Sequence, residues 1–242
     1  RAYFAASAHI LEREQPRRHI LKEKPIGFFD SGMGGLSVMA EARRLLPQED
    51  FLYYADTAHV PFGNRSNTEI YQYTMNGVMY LLGRGAKAVV LACNTATNVG
   101  VGRLRRYLET DITGIEPAVK PAFEALPEGK ILVLTTCRTA EQANFHRLLE
   151  KWDDGNVIVA PQPSLARDVE LNFAALSKLK PVVDDILAPY DGEDIESVVL
   201  GCTHYPFLRR QIERVFPNVP VFDGREGTVR QLARLLEARL TR

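Results

Sequence analysis

Two cysteines follow nearly identical apolar stretches in different halves of the chain. Cys93 lies in AVVLACNTAT (88–97) and Cys202 lies in SVVLGCTHYP (197–206), so each thiol comes after Val-Val-Leu and one small residue. Polar side chains follow both cysteines, and polar groups at the end of a buried strand need hydrogen-bond partners or a ligand. The repeat therefore predicts two thiols at equivalent strand ends, one in each half, facing a shared cleft.

Three structural explanations compete with a chemical role for these thiols. Two buried core cysteines are the simplest, since cysteine is among the most buried residue types. A disulfide is disfavoured in a reducing compartment. A zinc site would use Cys93, Cys202 and His204, but the sequence has no paired spacing such as Cys-x-x-Cys, so we expect no metal.

Acid–base chemistry by two thiols is the remaining interpretation. A thiol has a reference pKa of ~8.5, so modest tuning makes it a proton donor or a thiolate acceptor near neutral pH. Two thiols on opposite faces of a bound carbon acid can remove a proton from one face and return one to the other. Such a pair inverts a stereocentre, and its near symmetry suits a reaction that runs both ways.

Each thiol would need a helper. His204 lies two residues after Cys202 and can assist its proton transfers, although a hydrogen-bonded structural histidine fits the spacing equally well. Asp30 follows the first apolar stretch and can assist Cys93 or cap the next helix. Both alternatives stay open for both residues.

The stretch DSGMGGLS (30–37) resembles a phosphate-binding loop only superficially. Ser37 stands where the third glycine of G-x-G-x-x-G would be, and no Walker Gly-Lys-Ser/Thr is present. The turn and the helix after it suit a small anion such as a carboxylate better than a nucleotide. No lysine lies in a pattern typical of a pyridoxal phosphate Schiff base, so we expect no cofactor.

The elements that must position these residues alternate along the chain. Strand-like stretches lie at 26–32, 50–58, 86–95, 112–117, 130–136, 156–162, 195–203 and 218–222. Helix-like stretches lie at 35–47, 67–85, 96–109, 139–152, 178–190, where Pro181 suits a first turn, and 227–240. This alternation predicts an α/β fold of two similar domains, each a mostly parallel sheet flanked by helices, with the active site in the cleft between them.

Composition excludes several classes of function. The 242 residues are 45% hydrophobic and 25% charged with a net charge of zero, so no overall charge favours nucleic acid or an anionic membrane. No apolar run approaches the ~20 residues that span a bilayer, and the first 25 residues contain no apolar signal segment. Three cysteines make no disulfide framework, so we expect a cytoplasmic protein with reduced thiols. The two-thiol chemistry proposed above would act on a small-molecule substrate.

Five motifs together resemble the bacterial glutamate racemases, a family within the aspartate/glutamate racemase superfamily. They are IGFFDSGMGGLSV (26–38), YYADTAHVPFGNRS (53–66), VVLACNTAT (89–97), GIEPAVKPA (114–122) and VVLGCTHYPFL (198–208), and the resemblance extends over residues 25–242. It implies interconversion of L- and D-glutamate without cofactor or metal, with D-glutamate used for peptidoglycan and hence for cell wall biogenesis and cell shape. It also implies that Cys93 is the base toward the D-isomer and Cys202 the base toward the L-isomer, with Asp30 and His204 assisting.

The resemblance implies further site residues. The substrate contacts are Asp30, Ser31, Phe62, Gly63, Asn94, Thr95, Thr136, Thr139, Thr203 and His204. Phe62 stands where the family has tyrosine, which matters little if backbone groups bind the substrate there. Cys137, between the two threonines, is incidental. Glu170 matches the family's further catalytic acid, although its neighbours Arg167 and Asp168 replace apolar residues.

The resemblance also divides the chain into a tail (1–24), a first domain (25–115 plus 227–242) and a second domain (116–226). Gly224, near the second boundary, stands where serine is usual. Some relatives from Gram-negative bacteria have N-terminal extensions and respond to a peptidoglycan precursor, so such a regulator and a homodimer are the partners left open. A superfamily racemase of aspartate or a hydantoin, or an inactive ligand-binding relative, is the alternative.

Overall fold

The structure is a computed structural model that describes residues 24–152 and 155–240. The tail predicted for residues 1–24 lies outside the described residues, apart from Lys24. No helix in these two ranges is long and apolar enough to cross a membrane.

Within the described ranges, eight strands form two four-stranded sheets in which every pairing is parallel. The first sheet has the order β2-β1-β3-β4 and the second the order β6-β5-β7-β8. The strands are β1 Ile26–Asp30, β2 Phe51–Ala55, β3 Ala88–Leu91, β4 Asp111–Gly114, β5 Lys130–Thr136, β6 Val157–Gln162, β7 Ile195–Leu200 and β8 Val221–Asp223. The predicted α/β class with two parallel sheets is therefore confirmed.

The described part of the chain contains ten α-helices. They are α1 Leu36–Leu45, α2 Asn67–Gly83, α3 Asn94–Tyr107, α4 Val119–Ala125, α5 Cys137–Ala140, α6 Ala143–Trp152, α7 Leu165–Leu171, α8 Lys180–Leu187, α9 Arg209–Val215 and α10 Arg225–Leu240. Proline in the first turn of α8 is confirmed. The single helix predicted over 139–152 is wrong, because the chain turns at Gln142 between α5 and α6. Helices α4, α7 and α9 lie outside the helical stretches that the sequence predicted.

Apolar side chains cover both faces of both sheets. Neighbouring strand residues point to opposite faces, so Phe29 packs with α2 and α3 while Phe28 packs with α1 and α10. The second sheet divides in the same way between two further clusters. Burial on both faces explains the uninterrupted apolar strands in the sequence and leaves the carboxyl ends of the strands free for chemistry. Helix α10 belongs to the core of the first sheet through Val229 and Leu232, while the domain boundaries stay a prediction.

The two sheets repeat one topology. In the first sheet β2 lies on one side of β1 and β3 lies on the other, and in the second sheet β6 and β7 flank β5 in the same way. The direction in which successive strands are added therefore changes between β1 and β3 and between β5 and β7. Ligands in such sheets bind at the carboxyl ends of the strands beside this reversal. Cys93 follows β3 and Cys202 follows β7, so the two thiols occupy equivalent places in the two sheets.

Candidate active site

The carboxyl edges of the two sheets face each other across a cleft. The hydroxyl of Thr203, after β7, donates to Oδ2 of Asp30 at the end of β1 (3.2 Å). The hydroxyl of Ser37 in α1 donates to the carbonyl oxygen of Thr203 (3.2 Å). These bonds join the Cys202 segment to the end of β1 and to α1, and Cys93 bonds to Ser31, the residue after Asp30, so both cysteines lie at one site.

Cys93 caps the N-terminus of helix α3 and is buried. Its thiol donates to Oγ of Ser31 (3.6 Å), and the sulfur accepts from the backbone N–H of Ala96 (3.5 Å). Burial and the negative charge of Asp30 raise the pKa of this thiol to about 12, despite the contrary effect of both hydrogen bonds. Cys93 is therefore a protonated thiol at neutral pH, suited to donating a proton.

Cys202 lies beside a buried histidine–carboxylate pair. Its sulfur is 3.5 Å from Nδ1 of His204, and Nε2 of the same ring is 2.5 Å from Oε1 of Glu170. Burial lowers the pKa of His204, but the hydrogen bonds to Cys202 and Glu170 outweigh it and raise the pKa to about 10. His204 is therefore a cation at neutral pH, placed to stabilise a thiolate at Cys202.

Glu170 connects this pair to the opposite sheet. Oε1 also accepts from the backbone N–H of Met33 (2.6 Å), in the turn after β1. Burial raises the pKa of Glu170, but the hydrogen bonds to His204 and Met33 have the larger combined effect and lower it. The glycine-rich turn at residues 31–35, called the glycine turn below, thus binds a carboxylate of the protein itself, that of Glu170.

The glycines of this turn permit close contacts with the second half of the site. A Cβ on Gly32 would lie 2.0 Å from Oε1 of Glu170, and a Cβ on Gly34 would lie 2.6 Å from Oγ1 of Thr203 and 2.7 Å from the ring of His204. Any side chain at either position would displace these groups.

Asp30 is fully buried between the two halves. Besides the bond from Thr203, its Oδ1 accepts from the N–H of Gly32 (2.8 Å). Burial raises the pKa of this carboxyl, although the charge of His204 and several hydrogen bonds oppose that effect. Its hydrogen bonds run to the turn and to Thr203, and its charge reaches Cys93, so assistance to Cys93 stays a prediction.

Three predicted contact residues form a hydroxyl cluster across the cleft. Oγ1 of Thr95 lies 3.1 Å from Oγ1 of Thr136 and 3.2 Å from Oγ1 of Thr139, and the latter two oxygens are 3.0 Å apart. Gly63 lies beside them, because a Cβ there would be 3.5 Å from Cβ of Thr136. The buried side-chain oxygen of Asn94 has no hydrogen-bond partner among the described residues, which leaves an acceptor free for a ligand.

Phe62 is the predicted site residue whose side chain lies elsewhere. Its ring is buried in the core between the first sheet and helices α2 and α3. The centroid of this ring lies 6.2 Å from that of Phe29 and 6.1 Å from that of Tyr73. Only its backbone, in the short 3-10 helix Phe62–Asn64, remains for a role in the site. Across residues 24–152 and 155–240, no cluster of three or more His, Cys, Asp or Glu side chains suits a metal ion.

Sequence reasoning missed two groups at this site. The N–H of Met33 binds Glu170, and the hydroxyl of Tyr53 donates to the carbonyl oxygen of Gly32 (2.8 Å). In the sequence Tyr53 is an ordinary residue of an apolar strand. The backbone N–H of Met33 is present whatever its side chain, so the sequence gives no sign of its role. Only the tight spacing of glycines in DSGMGGLS signals that other groups approach this turn closely.

Comparison with known proteins places this geometry in a family. A family model described as Asp/Glu/Hydantoin racemase matches residues 36–232. The glutamate racemase of Clostridium perfringens is 42% identical over 220 residues, which cover 90% of this chain and 85% of that protein.

Two solved structures share the fold over most of their length. A glutamate racemase isoform from Bacillus anthracis superposes with a TM-score of 0.81 at 32% identity, covering 90% of this chain and 83% of that one. The Escherichia coli glutamate racemase, in complex with L-glutamate and the activator UDP-MurNAc-Ala, gives a TM-score of 0.79 at 31% identity, with coverage of 88% and 83%.

Proposed function

The chain belongs to the Asp/Glu/hydantoin racemase family, and we propose that Cys93 and Cys202 interconvert L- and D-glutamate by proton transfer at the α-carbon. The isomerase activity on glutamate that the motifs predicted is confirmed by the similarity to glutamate racemases. The roles of the individual residues are our proposal. The observation that carries it is the equivalent placement of two thiols on facing sheet edges, joined by the bond between Thr203 and Asp30.

The proposed reaction uses one thiolate and one thiol in each direction. With L-glutamate, the Cys202 thiolate removes the α-proton, and the Cys93 thiol delivers its own proton to the opposite face. The D-isomer forms, Cys202 is left protonated and Cys93 is left as the thiolate. D-glutamate reacts by the reverse steps. Before a second L-glutamate reacts, Cys202 releases its proton to solvent and Cys93 takes one up, so the proton count of the enzyme is unchanged over the cycle. The cationic His204 supports this assignment because it favours the thiolate at Cys202.

The polar groups around the thiols suit an amino acid with two carboxylates. The hydroxyls of Thr95, Thr136 and Thr139 converge beside Gly63, and hydroxyl and backbone N–H groups are suitable donors to a carboxylate. The free oxygen of Asn94 is a suitable acceptor for the substrate ammonium group. Two further residues complete the proposed set of contacts: Ser31, which accepts from the thiol of Cys93, and Thr203, which directly follows Cys202.

We propose the cellular role from the same family. D-glutamate would supply peptidoglycan synthesis in the cytoplasm, without a cofactor, and so serve cell wall biogenesis and cell shape. The E. coli relative was solved with the activator UDP-MurNAc-Ala, so a peptidoglycan precursor of that class is the first regulator to test. A homodimer also stays a prediction.

Replacing the two thiols tests the mechanism directly. We expect Cys93→Ser and Cys202→Ser each to lower racemisation by ~10²–10⁴-fold, because a serine hydroxyl is a much weaker acid than a thiol. The measurements are the change in optical rotation and the incorporation of solvent deuterium at the α-carbon. Cys137→Ser is the matched control, because it removes the third thiol of the chain and should keep wild-type turnover.

Near-normal turnover in both single variants would refute the two-thiol mechanism. Parallel assays with L-aspartate and a hydantoin test the alternative substrates. Absence of deuterium incorporation from either glutamate enantiomer would instead indicate a ligand-binding relative without catalysis.

A further inference from the structure

Tyr53 holds the glycine turn through a hydrogen bond from the core of the first sheet. It lies in β2, its ring packs against the core between the first sheet and helices α1 and α10, and its hydroxyl donates to the buried carbonyl of Gly32 (2.8 Å). A Cβ on Gly35 would lie 2.8 Å from this hydroxyl, so glycine there lets the phenol approach. Burial raises the pKa of Tyr53 far above its ordinary value, which keeps the phenol protonated and able to donate.

The turn that Tyr53 holds reaches proton-transfer groups in both halves of the site. The N–H of Gly32 donates to Asp30, and the N–H of Met33 donates to Glu170, which in turn binds His204. Ser31, at the start of the turn, accepts from the thiol of Cys93. A shift of this one turn would therefore change the surroundings of both cysteines at once.

We infer that Tyr53 is a positioning residue for racemisation, acting through the turn at residues 31–35 without touching the substrate. The inference rests on the proposed function, because it assumes that Cys93 and Cys202 are the proton-transfer groups. Without the phenolic hydroxyl, the buried carbonyl of Gly32 loses its donor, and the turn moves to find another partner. Proton transfer depends steeply on geometry, so the chemical step slows while substrate binding changes less.

The neighbouring tyrosine provides a matched control. Tyr54 is adjacent in β2 but points to the other face of the sheet, where its ring stacks on Phe29 with centroids 5.9 Å apart. Tyr54→Phe removes the same hydroxyl from the same strand without affecting the turn. Tyr53→Phe keeps the ring, so the core packing around it stays intact.

The experiment compares the wild type, Tyr53→Phe and Tyr54→Phe with both glutamate enantiomers. For Tyr53→Phe we expect kcat to fall about tenfold with KM within about twofold of the wild type, which is the pattern for an interaction that matters in the transition state. The primary isotope effect with glutamate deuterated at the α-carbon should be at least as large as in the wild type. That ratio does not depend on how much of a variant is folded, so it remains informative if Tyr53→Phe is less stable.

Two results would overturn the inference. One is a kcat for Tyr53→Phe equal to that of Tyr54→Phe. The other is a lower kcat with a reduced isotope effect, because the slowed step would then be release or a conformational change. Failure of the wild type to racemise glutamate would contradict the proposed function itself, which separates the two conclusions.

Discussion

Replacing Glu170 by glutamine removes one negative charge from the His204 pair and keeps the side chain's shape. Oε1 of Glu170 lies 2.5 Å from Nε2 of His204 and accepts from the N–H of Met33 at 2.6 Å. A hydrogen bond to a charged group contributes ~1.5–3 kcal/mol, and a tenfold change in rate corresponds to ~1.4 kcal/mol. We therefore expect Glu170→Gln to lower kcat/KM about 10- to 150-fold.

The same substitution should change the pH dependence in a defined direction. With Glu170 present, the pKa of His204 is about 10, so the cation persists through neutral and mildly alkaline pH. Glutamine removes part of what raises that pKa, so His204 loses its proton at lower pH in the variant. The alkaline limb of the kcat/KM profile should therefore move to lower pH.

The free energy of unfolding should also depend on the charge of His204, and its pH dependence has a defined direction. A histidine whose pKa is raised by folding stabilises the protein fully below its unfolded pKa, ~6.5, and loses this contribution as pH rises through the folded value. The difference in unfolding free energy between wild type and Glu170→Gln should therefore be present at neutral pH and shrink as pH rises through about 10.

The assay is kcat/KM for L-glutamate from pH 6 to 10.5, with denaturant unfolding at selected pH values. Asp168→Asn is the control, because this half-buried carboxylate lies on the same helix α7 and accepts its hydrogen bond from Oγ of Ser164 (2.8 Å) rather than from His204. A Glu170→Gln enzyme with wild-type kcat/KM and an unmoved alkaline limb would refute the reasoning. It would mean that Glu170 does not set the charge of His204.

Two further predictions concern packing and the contact between the two halves. Gly77→Ala should lower the free energy of unfolding by ~1–3 kcal/mol, because its Cβ would lie 2.4 Å from the ring of Phe29. Gly83→Ala, on the same helix with open space around it, should raise that free energy by ~0.5–1 kcal/mol, and equal effects in urea titrations would contradict the packing argument. Asn67→Ala removes two reciprocal amide bonds to Gln142 (3.3 and 3.2 Å) that join the halves beside the threonine cluster. We expect KM for both enantiomers to rise ~2–10-fold, and an unchanged KM in steady-state assays would show that this contact does not hold the cleft.

The sequence predicted the catalytic framework because parallel sheets follow simple rules. Apolar strands that end in polar residues place those residues at one edge, and two matching strands therefore predicted two matching thiols. The contacts between the edges were beyond such reasoning. Thr203 and Asp30 are 173 residues apart, and no local pattern indicates that they meet.

The short helices show a second limit. Helices α7 and α9 have seven residues each, too few turns for a clear apolar period, and both follow 3-10 or irregular segments. Helix α7 carries Glu170, so the element that completes the His204 pair was the hardest to predict. The split between α5 and α6 has a similar origin, because Thr136 caps a one-turn helix and the chain restarts after Gln142.

The two halves of the site are alike in topology and different in electrostatics. Cys93 has burial and the charge of Asp30 against its thiolate, whereas Cys202 has a cationic imidazole beside it. In the proposed reaction Cys202 is the thiolate for L-glutamate and Cys93 is the thiolate for D-glutamate, so the two directions begin with the negative charge in different surroundings. Enantiomers have equal free energies in solution, so kcat/KM must be the same in both directions. The difference between the thiols must then appear in kcat and KM together, by the same factor, which is how an asymmetric site catalyses a symmetric reaction.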